Sequence, residues 1–407
     1  MNATMTEYSL LGEQILESPI DSTTSLLEKI NQDVINFALG SPAQNMIPTQ
    51  AFAEIGNMVL NDASAYGYAP TEGDSELVSS LVSFLKSQGR DLDPASIVIT
   101  AGGMQGLDVV CKLFINPGDT VIVESPTYPS AFMTAIGYGA NIVEIPIDDD
   151  GLKVNEIDEY VNRTGNIPKM IYVVPTFQNP TGRTLSLQRR EELAGLARKL
   201  NCLIVEDDPY GLIGFTNDHI PSIRDISHAD PHVVTVRTFS KIMAPGLRVG
   251  WLEVDPAYTD KIIAARQCMD TCANTVSQRI VAGYLDSGKV QDHLRYLCSQ
   301  YEVRKDTLRT AVETAFSGTV HTSDPLGGFF LWVTFPEETD CELLFREGLE
   351  RGVAIVPGNA FSPSGQLRNC ARLCFAALDP DAIDEGVRRL AEAYCAVDTV
   401  RAKVDVA

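Results

Sequence analysis

Basic residues are scarce in this chain. Its 32 lysines and arginines face 54 aspartates and glutamates, a formal net charge of -22 at pH 7. A surface so acidic repels phosphate backbones and anionic lipid, so neither nucleic acid nor membrane is an expected partner. Long apolar runs are missing too: no stretch of about 18 such residues exists, and no transmembrane helix is expected. Lys29 is the single basic residue among the first 30, which argues against a basic-then-apolar leader. Histidine is rare and scattered (His219, His228, His232, His293, His321). The nine cysteines include two pairs four apart, Cys268 with Cys272 and Cys370 with Cys374. Neither pair has the short hook spacing that a metal site repeats, so no metal is expected. The cysteines read as reduced, mostly buried thiols of a cytoplasmic protein.

What the chain has is length and rhythm. Its 407 residues exceed one compact core and predict two or three domains. From about residue 95, short Val- and Ile-rich runs alternate with amphipathic stretches. Strands are predicted over 96–100, 120–124, 141–146, 169–174, 202–206, 232–237 and 248–253, and helices over 103–114, 130–137 and 187–200. The strand runs are continuously apolar rather than alternating, the pattern of a mostly parallel sheet covered on both faces. After residue 289 the pattern changes. Helices over 290–317, 340–351 and 381–397, with strands over 327–335, 353–356 and 370–375, predict a smaller α+β domain. The expected organisation is an N-terminal segment (1–48) packed on the small domain, a large α/β domain (49–288) and a small C-terminal domain (289–407). In an open α/β sheet the ligand lies beyond the carboxyl ends of the strands, so chemistry is sought there.

Several polar residues follow those strands. Ser240-Lys241 precedes Ala244-Pro245-Gly246-Leu247-Arg248-Val249-Gly250-Trp251. A lysine placed there, close to other cations, suits a Schiff-base nucleophile with a lowered pKa. Arg248, past a Pro-Gly turn, is a fixed, forked cation suited to a phosphate. Taken alone, the two would read as surface charges; the motif around them points to the site. Asp207 lies in Glu206-Asp207-Asp208-Pro209-Tyr210-Gly211. A carboxylate buried at a strand end pairs with the protonated ring nitrogen of a pyridine cofactor, or serves as a turn or helix-cap aspartate. Asn179, in Gln178-Asn179-Pro180-Thr181-Gly182, is either a plain turn residue or a donor to a cofactor's phenolic oxygen. Thr100-Ala101-Gly102-Gly103-Met104-Gln105 joins a strand to a helix, where small residues let backbone N–H groups meet an anion. Tyr128, in Ser125-Pro126-Thr127-Tyr128-Pro129, suits stacking on a flat ring or ordinary packing.

Taken together and in this order, the segments resemble the fold-type I pyridoxal 5'-phosphate (PLP) enzymes, and within them the class I/II aminotransferases. The branch is that of the 2-aminoadipate and kynurenine aminotransferases and the C-terminal domains of MocR-like regulators. The resemblance runs from residue 37 to residue 391. It implies an α/β fold with a large PLP-binding domain and a smaller α+β domain. It also implies that Lys241 carries PLP as a Schiff base and shuttles a proton at the substrate α-carbon, that Asp207 pairs with the ring nitrogen, and that Asn179 and Tyr210 hold the phenolic oxygen. Tyr128 would stack on the ring, while Gly103 and Met104 (through backbone N–H), Thr238, Ser240 and Arg248 cradle the phosphate. Tyr68, in Tyr68-Ala69-Pro70-Thr71-Glu72-Gly73, matches a tyrosine that reaches the phosphate of the partner subunit, implying a homodimer with shared active sites. Arg372, in Ala371-Arg372-Leu373-Cys374-Phe375, matches the arginine that grips the substrate α-carboxylate, with Gly40, in Leu39-Gly40-Ser41-Pro42, and Asn179 beside it.

The implied reaction moves an amino group between an L-amino acid and a 2-oxo acid. The same cofactor residues serve β- or γ-elimination or replacement, oxidative decarboxylation and cyclisation, which stand as the alternative. A non-catalytic sensing module, as in the regulators, would need a DNA-binding domain before residue 37, and none is expected there. The sequence departs from its relatives in places. Gly102-Gly103-Met104 offers no hydroxyl at a position where many relatives have one, and Thr238 replaces a common serine. No arginine occurs over residues 15–30, which argues against a donor with an acidic side chain such as 2-aminoadipate.

Overall fold

The computed structural model describes residues 6–18, 33–216 and 220–404. His219 and residues 19–30 of the arginine-free segment therefore lie outside the described residues. Along the chain the strands are β1 (Ile35–Asn36), β2 (Ile97–Thr100), β3 (Thr120–Ser125), β4 (Asn141–Asp148), β5 (Gly151–Leu152), β6 (Met170–Val173), β7 (Leu203–Asp207), β8 (Val233–Thr238), β9 (Gly250–Glu253), β10 (His321–Thr322), β11 (Phe330–Thr334), β12 (Val353–Ala354), β13 (Val356–Pro357) and β14 (Cys370–Cys374).

Eight of them form one sheet in the order β2-β9-β8-β7-β6-β3-β4-β5. The pairs from β4 across to β8 are parallel. At one edge β9 runs antiparallel between β8 and β2, and at the other β5 is antiparallel to β4. The continuous apolar runs have a simple origin. Side chains of a strand point alternately to opposite faces, and here both faces are core. Val121, Val123, Met170, Tyr172, Leu203 and Val205 join one apolar cluster with the helix Gly103–Phe114. Their neighbours Ile122, Ile171, Val173 and Ile204 join another with the helix Leu187–Leu200. Each such Val or Ile contributes about 1.5–3 kcal/mol when fully buried, so every residue of β6 and β8 is buried. The strand β4 departs from the pattern and is mostly half-exposed.

The C-terminal part carries an antiparallel sheet, β10-β11-β14-β13. Its register sets Arg372 between Trp332 and Val356. The predicted strand over 353–356 is broken in the structure. Val353–Ala354 pairs in parallel with Ile35–Asn36, whereas Val356–Pro357 pairs with Arg372 and Ala371. One short apolar run thus serves two sheets. The stretch 35–37 is bonded to this region at Ile35, Phe37 and Cys374, while Leu11 lies against Gly139 of the other. Among the described residues six α-helices have no counterpart in the sequence prediction: Thr49–Leu60, Ser75–Ser87, Val154–Thr164, Ile223–Ile226, Pro256–Gln267 and Thr275–Asp286. Among the described residues no helix is long and apolar enough to cross a membrane.

Candidate active site

The carboxyl ends of β3, β6, β7 and β8 deliver polar residues to one cavity of about 260 Å³. Twelve of the thirteen site residues proposed from sequence line it: Gly40, Gly103, Met104, Tyr128, Asn179, Asp207, Tyr210, Thr238, Ser240, Lys241, Arg248 and Arg372. The thirteenth, Tyr68, is 89 % exposed and lies outside it.

One end of the cavity is built for an anion. The helix Gly103–Phe114 begins there, and Gly102 precedes it at φ 90°, with no side chain to cap it. The first N–H groups of a helix have no partner within it and carry partial positive charge. A Cβ at Gly102 would lie 2.4 Å from Nη2 of Arg248, so the glycine lets the guanidinium close over the turn. Arg248 Nη2 donates to the Ala101 carbonyl at 2.9 Å. Thr238 Oγ1 donates to Ser240 Oγ at 2.9 Å, which puts two buried hydroxyls at the same place. This end needs no hydroxyl at position 103.

At the floor, Asp207 ends β7. Tyr172 of the adjacent strand donates its hydroxyl to Asp207 Oδ2 at 2.6 Å. Asp207 opens onto the cavity on one side and is otherwise enclosed, and burial pushes its carboxyl up to about 6. Lys241 is likewise half-exposed only because it faces the cavity. Burial lowers its amine to about 8, with the carboxylate of Asp207 working against the shift and the charges of Arg372 and Arg248 adding to it. Lys241 Nζ donates to the Gly40 carbonyl at 2.8 Å.

Opposite the floor, Arg372 is 1 % exposed. It stacks over Phe330 at 4.3 Å and Phe361 at 5.1 Å from the ring centroids. Its Nη1 donates to Asn179 Oδ1 at 3.0 Å and its Nη2 to the Ala38 carbonyl at 2.5 Å. Both partners are neutral, and Nε has none. A buried guanidinium with donors to spare is suited to a carboxylate. A Cβ at Gly40 would meet Phe330 at 3.1 Å, so glycine keeps this corner open. Tyr210 is buried with its ring edge-on to Phe330, and burial holds its hydroxyl protonated.

Sequence reasoning missed the supporting residues. Gln178 Nε2 donates to the Pro126 carbonyl at 2.8 Å, tying the Asn179 loop to the Tyr128 loop. Glu124, fully enclosed on β3, accepts from Val174 N–H at 2.9 Å, and burial pushes its carboxyl up to about 8. Asp208 is held by Arg237 at 2.6 Å, and Arg237 in turn meets Glu253. Glu124 and Tyr172 were visible only as polar groups in otherwise apolar runs. Of the eight non-glycine residues at positive φ among the described residues, two lie in the loops of this site, Phe177 at 50° and Arg248 at 53°. Such strain recurs at functional loops, and these two loops deliver Asn179 and the guanidinium.

The donor set fits PLP. The uncapped helix start, two hydroxyls and Arg248 suit its phosphate; the enclosed Asp207 suits a ring nitrogen that carries a proton; Lys241 has an amine poised to lose its proton. Comparison with known proteins agrees. The model of the family described as aminotransferase class I and II matches residues 32–390. The chain is 35% identical over 388 residues to aromatic-amino-acid aminotransferase 1 of Thermococcus litoralis, covering 94% of this chain and 93% of that protein. It superposes with a TM-score of 0.89 on a kynurenine aminotransferase of Pyrococcus horikoshii solved with PMP, at 34% identity, covering 95% of this chain and 96% of that one. An α-aminoadipate aminotransferase of Thermus thermophilus, complexed with N-(5'-phosphopyridoxyl)-L-leucine, gives 0.89 at 29% identity, covering 97% and 98%. These relatives are all aminotransferases, which does not favour the alternative of elimination, decarboxylation or cyclisation. The chain belongs to the class I and II aminotransferases, and uses PLP to move an amino group between an amino acid and a 2-oxo acid.

Proposed function

We propose that Lys241 carries the cofactor and moves the proton of the substrate α-carbon, and that the donor is an amino acid with an uncharged side chain. The observation that carries this reading is the convergence of Lys241, Asp207 and Arg372 on one cavity. The chemistry supplied by PLP is withdrawal of electrons from the substrate α-carbon. Asp207 holds a proton at the ring nitrogen. Asn179 and Tyr210 orient the phenolic oxygen, and Tyr128 covers the ring. Gly103, Met104, Thr238, Ser240 and Arg248 anchor the phosphate. Arg372 binds the α-carboxylate, with Asn179 and Gly40 shaping that corner. Lys241, on a flexible stem and with an amine near neutrality, takes the α-proton and returns it. Among the described residues the cations lining the cavity are Lys241, Arg248 and Arg372. Each has a task, which leaves none for a second substrate carboxylate.

The working enzyme is a homodimer in this reading. Tyr68 completes the phosphate site of a second copy, which accounts for its exposure, and Met58, Leu60 and Tyr66 nearby in the chain are exposed as well. Residues 49–288 form the cofactor domain and 289–407 the small domain, with the end of the N-terminal segment (1–48) joined to the latter through the pairing of Ile35–Asn36 with Val353–Ala354, while Leu11 of the same segment lies against Gly139 of the former. Nine cysteines without a disulfide fit the reducing cytoplasm.

The test is a single half-reaction. Holoenzyme is mixed with a panel of amino acids in the absence of any 2-oxo acid. Neutral donors should bleach the cofactor's visible band and release one equivalent of 2-oxo acid, whereas aspartate, glutamate and 2-aminoadipate should act far more slowly. Equal rates for acidic donors would refute the side-chain assignment, and release of ammonia or carbon dioxide would refute transfer.

A further inference from the structure

We propose that Tyr172 is a positioning residue for Asp207, holding one carboxylate oxygen so that the other is presented to the cofactor nitrogen as an anion. This rests on the assignment of Asp207 made above. The geometry comes from the sheet. On β6, Tyr172 sits opposite Val205 of β7. Side chains two apart on a strand share a face, so Val205 and Asp207 lie on the side to which Tyr172 points. Tyr172 leans along the strand and reaches Asp207 Oδ2 at 2.6 Å, while its ring is 2 % exposed. A buried phenol needs a partner, and this one is the carboxylate that faces the cavity.

The surrounding charges explain why such a donor matters. Asp207 is faced by Asp208 beside it, Glu124 from β3, Tyr172 from β6, Tyr210 after β7 and Lys241 after β8. Burial and Asp208 favour its protonated form; the Tyr172 hydrogen bond and Lys241 favour its anion. Asp208 is itself paired with Arg237. Glu124 is held largely protonated at neutral pH by burial, so it offers the ring nitrogen little competing charge. Removing the phenol makes Asp207 more basic. The proton shared with the ring nitrogen then moves toward the carboxylate, and the electron withdrawal that labilises the substrate weakens.

Tyr172→Phe keeps the ring and its packing and removes the donor. The variant is reconstituted with 15N-labelled PLP alongside wild type and Asp207→Asn. Three quantities are read: the ring-nitrogen chemical shift, the cofactor dissociation constant, and the pH dependence of the half-reaction. Tyr172→Phe should move the nitrogen shift toward its neutral value and raise the acid limb of the pH profile. It should also slow the half-reaction and weaken PLP by about tenfold or more, the scale of a hydrogen bond to a charged group. An unchanged nitrogen shift and pH profile, with Asp207→Asn impaired, would overturn the role of Tyr172 alone. If Asp207→Asn also left the nitrogen shift and turnover unchanged, the assignment of Asp207 itself would fall. A Tyr172→Phe protein that bound PLP normally and lost only thermal stability would mark the contact as structural and end the proposal.

Discussion

Replacing Arg372 by lysine keeps a positive charge in the buried corner and removes the fork. In the structure the guanidinium uses one donor on Asn179 and one on Ala38, with Nε unpaired and the plane pressed between Phe330 and Phe361. In the proposed role, a substrate carboxylate would supply the negative charge that this site lacks. Removing one partner of a buried, hydrogen-bonded charge pair costs about 2–5 kcal/mol. Lysine keeps the charge but not the two parallel bonds or the stacking, which points to the lower half of that range. A loss of about 2–3 kcal/mol corresponds to roughly 30- to 150-fold in kcat/KM at about 1.4 kcal/mol per tenfold. The assay is steady-state kcat/KM for one amino donor and one 2-oxo acid, with cofactor affinity measured on the same preparation. Both substrates should suffer, because both carry the α-carboxylate, and PLP affinity should hold within a few-fold. A folded, PLP-bound Arg372→Lys protein with kcat/KM within about threefold of wild type would refute the carboxylate role.

Three further outcomes follow from the same geometry. Burial lowers the Lys241 amine to about 8 from an ordinary 10.5, so the rate at which PLP joins the apoprotein should rise with pH and level off above about 8; a rate still climbing at pH 10 would contradict this. Gly102→Ala places a Cβ 2.4 Å from Arg248 Nη2 at a φ of 90°, so the cofactor dissociation constant should rise about tenfold or more, the scale of one lost charged hydrogen bond. Glu253, fully buried between Arg90 and Arg237, has its carboxyl depressed to about 2, and Glu253→Gln should cost about 3–5 kcal/mol in denaturant unfolding at neutral pH. The sign with pH is fixed: a depressed acid stabilises fully above its unfolded value of 4.5 and loses that contribution as pH falls toward about 2. The gap between wild type and variant should therefore narrow in acid.

Much of this site was legible because each functional side chain sits in a short segment with its own turn chemistry. The helices Gly103–Phe114 and Leu187–Leu200 start and stop where their apolar spacing predicted, and the central strands shift by one or two residues, the usual scatter of element ends. What the sequence hid depends on register and on distance along the chain. The Tyr172–Asp207 bond exists only because β6 and β7 align Tyr172 with Val205. The break after Ala354 answers to pairings over very different distances: Val353 with Ile35, 318 residues away, and Val356 with Arg372, 16 residues away. The helix Ser75–Ser87 carries its signals in the sequence: Asp74 caps Glu76 N–H, and Leu77, Leu81, Phe84 and Leu85 form its buried stripe. Thr275–Asp286 gave less warning, since Thr275 and Gln278 are among its buried residues. Tyr68 shows a third kind of limit, because its proposed role lies in another copy of the chain.

The most direct test of the central claim is where the cofactor is attached. Holoenzyme is treated with borohydride, digested, and its peptides are mapped by mass spectrometry. The pyridoxyl phosphate mass should appear on the peptide containing Lys241 and nowhere else in substantial yield, and should vanish in Lys241→Ala. Attachment to any other lysine, or a protein that binds PLP without reducible linkage, would contradict the account of the site.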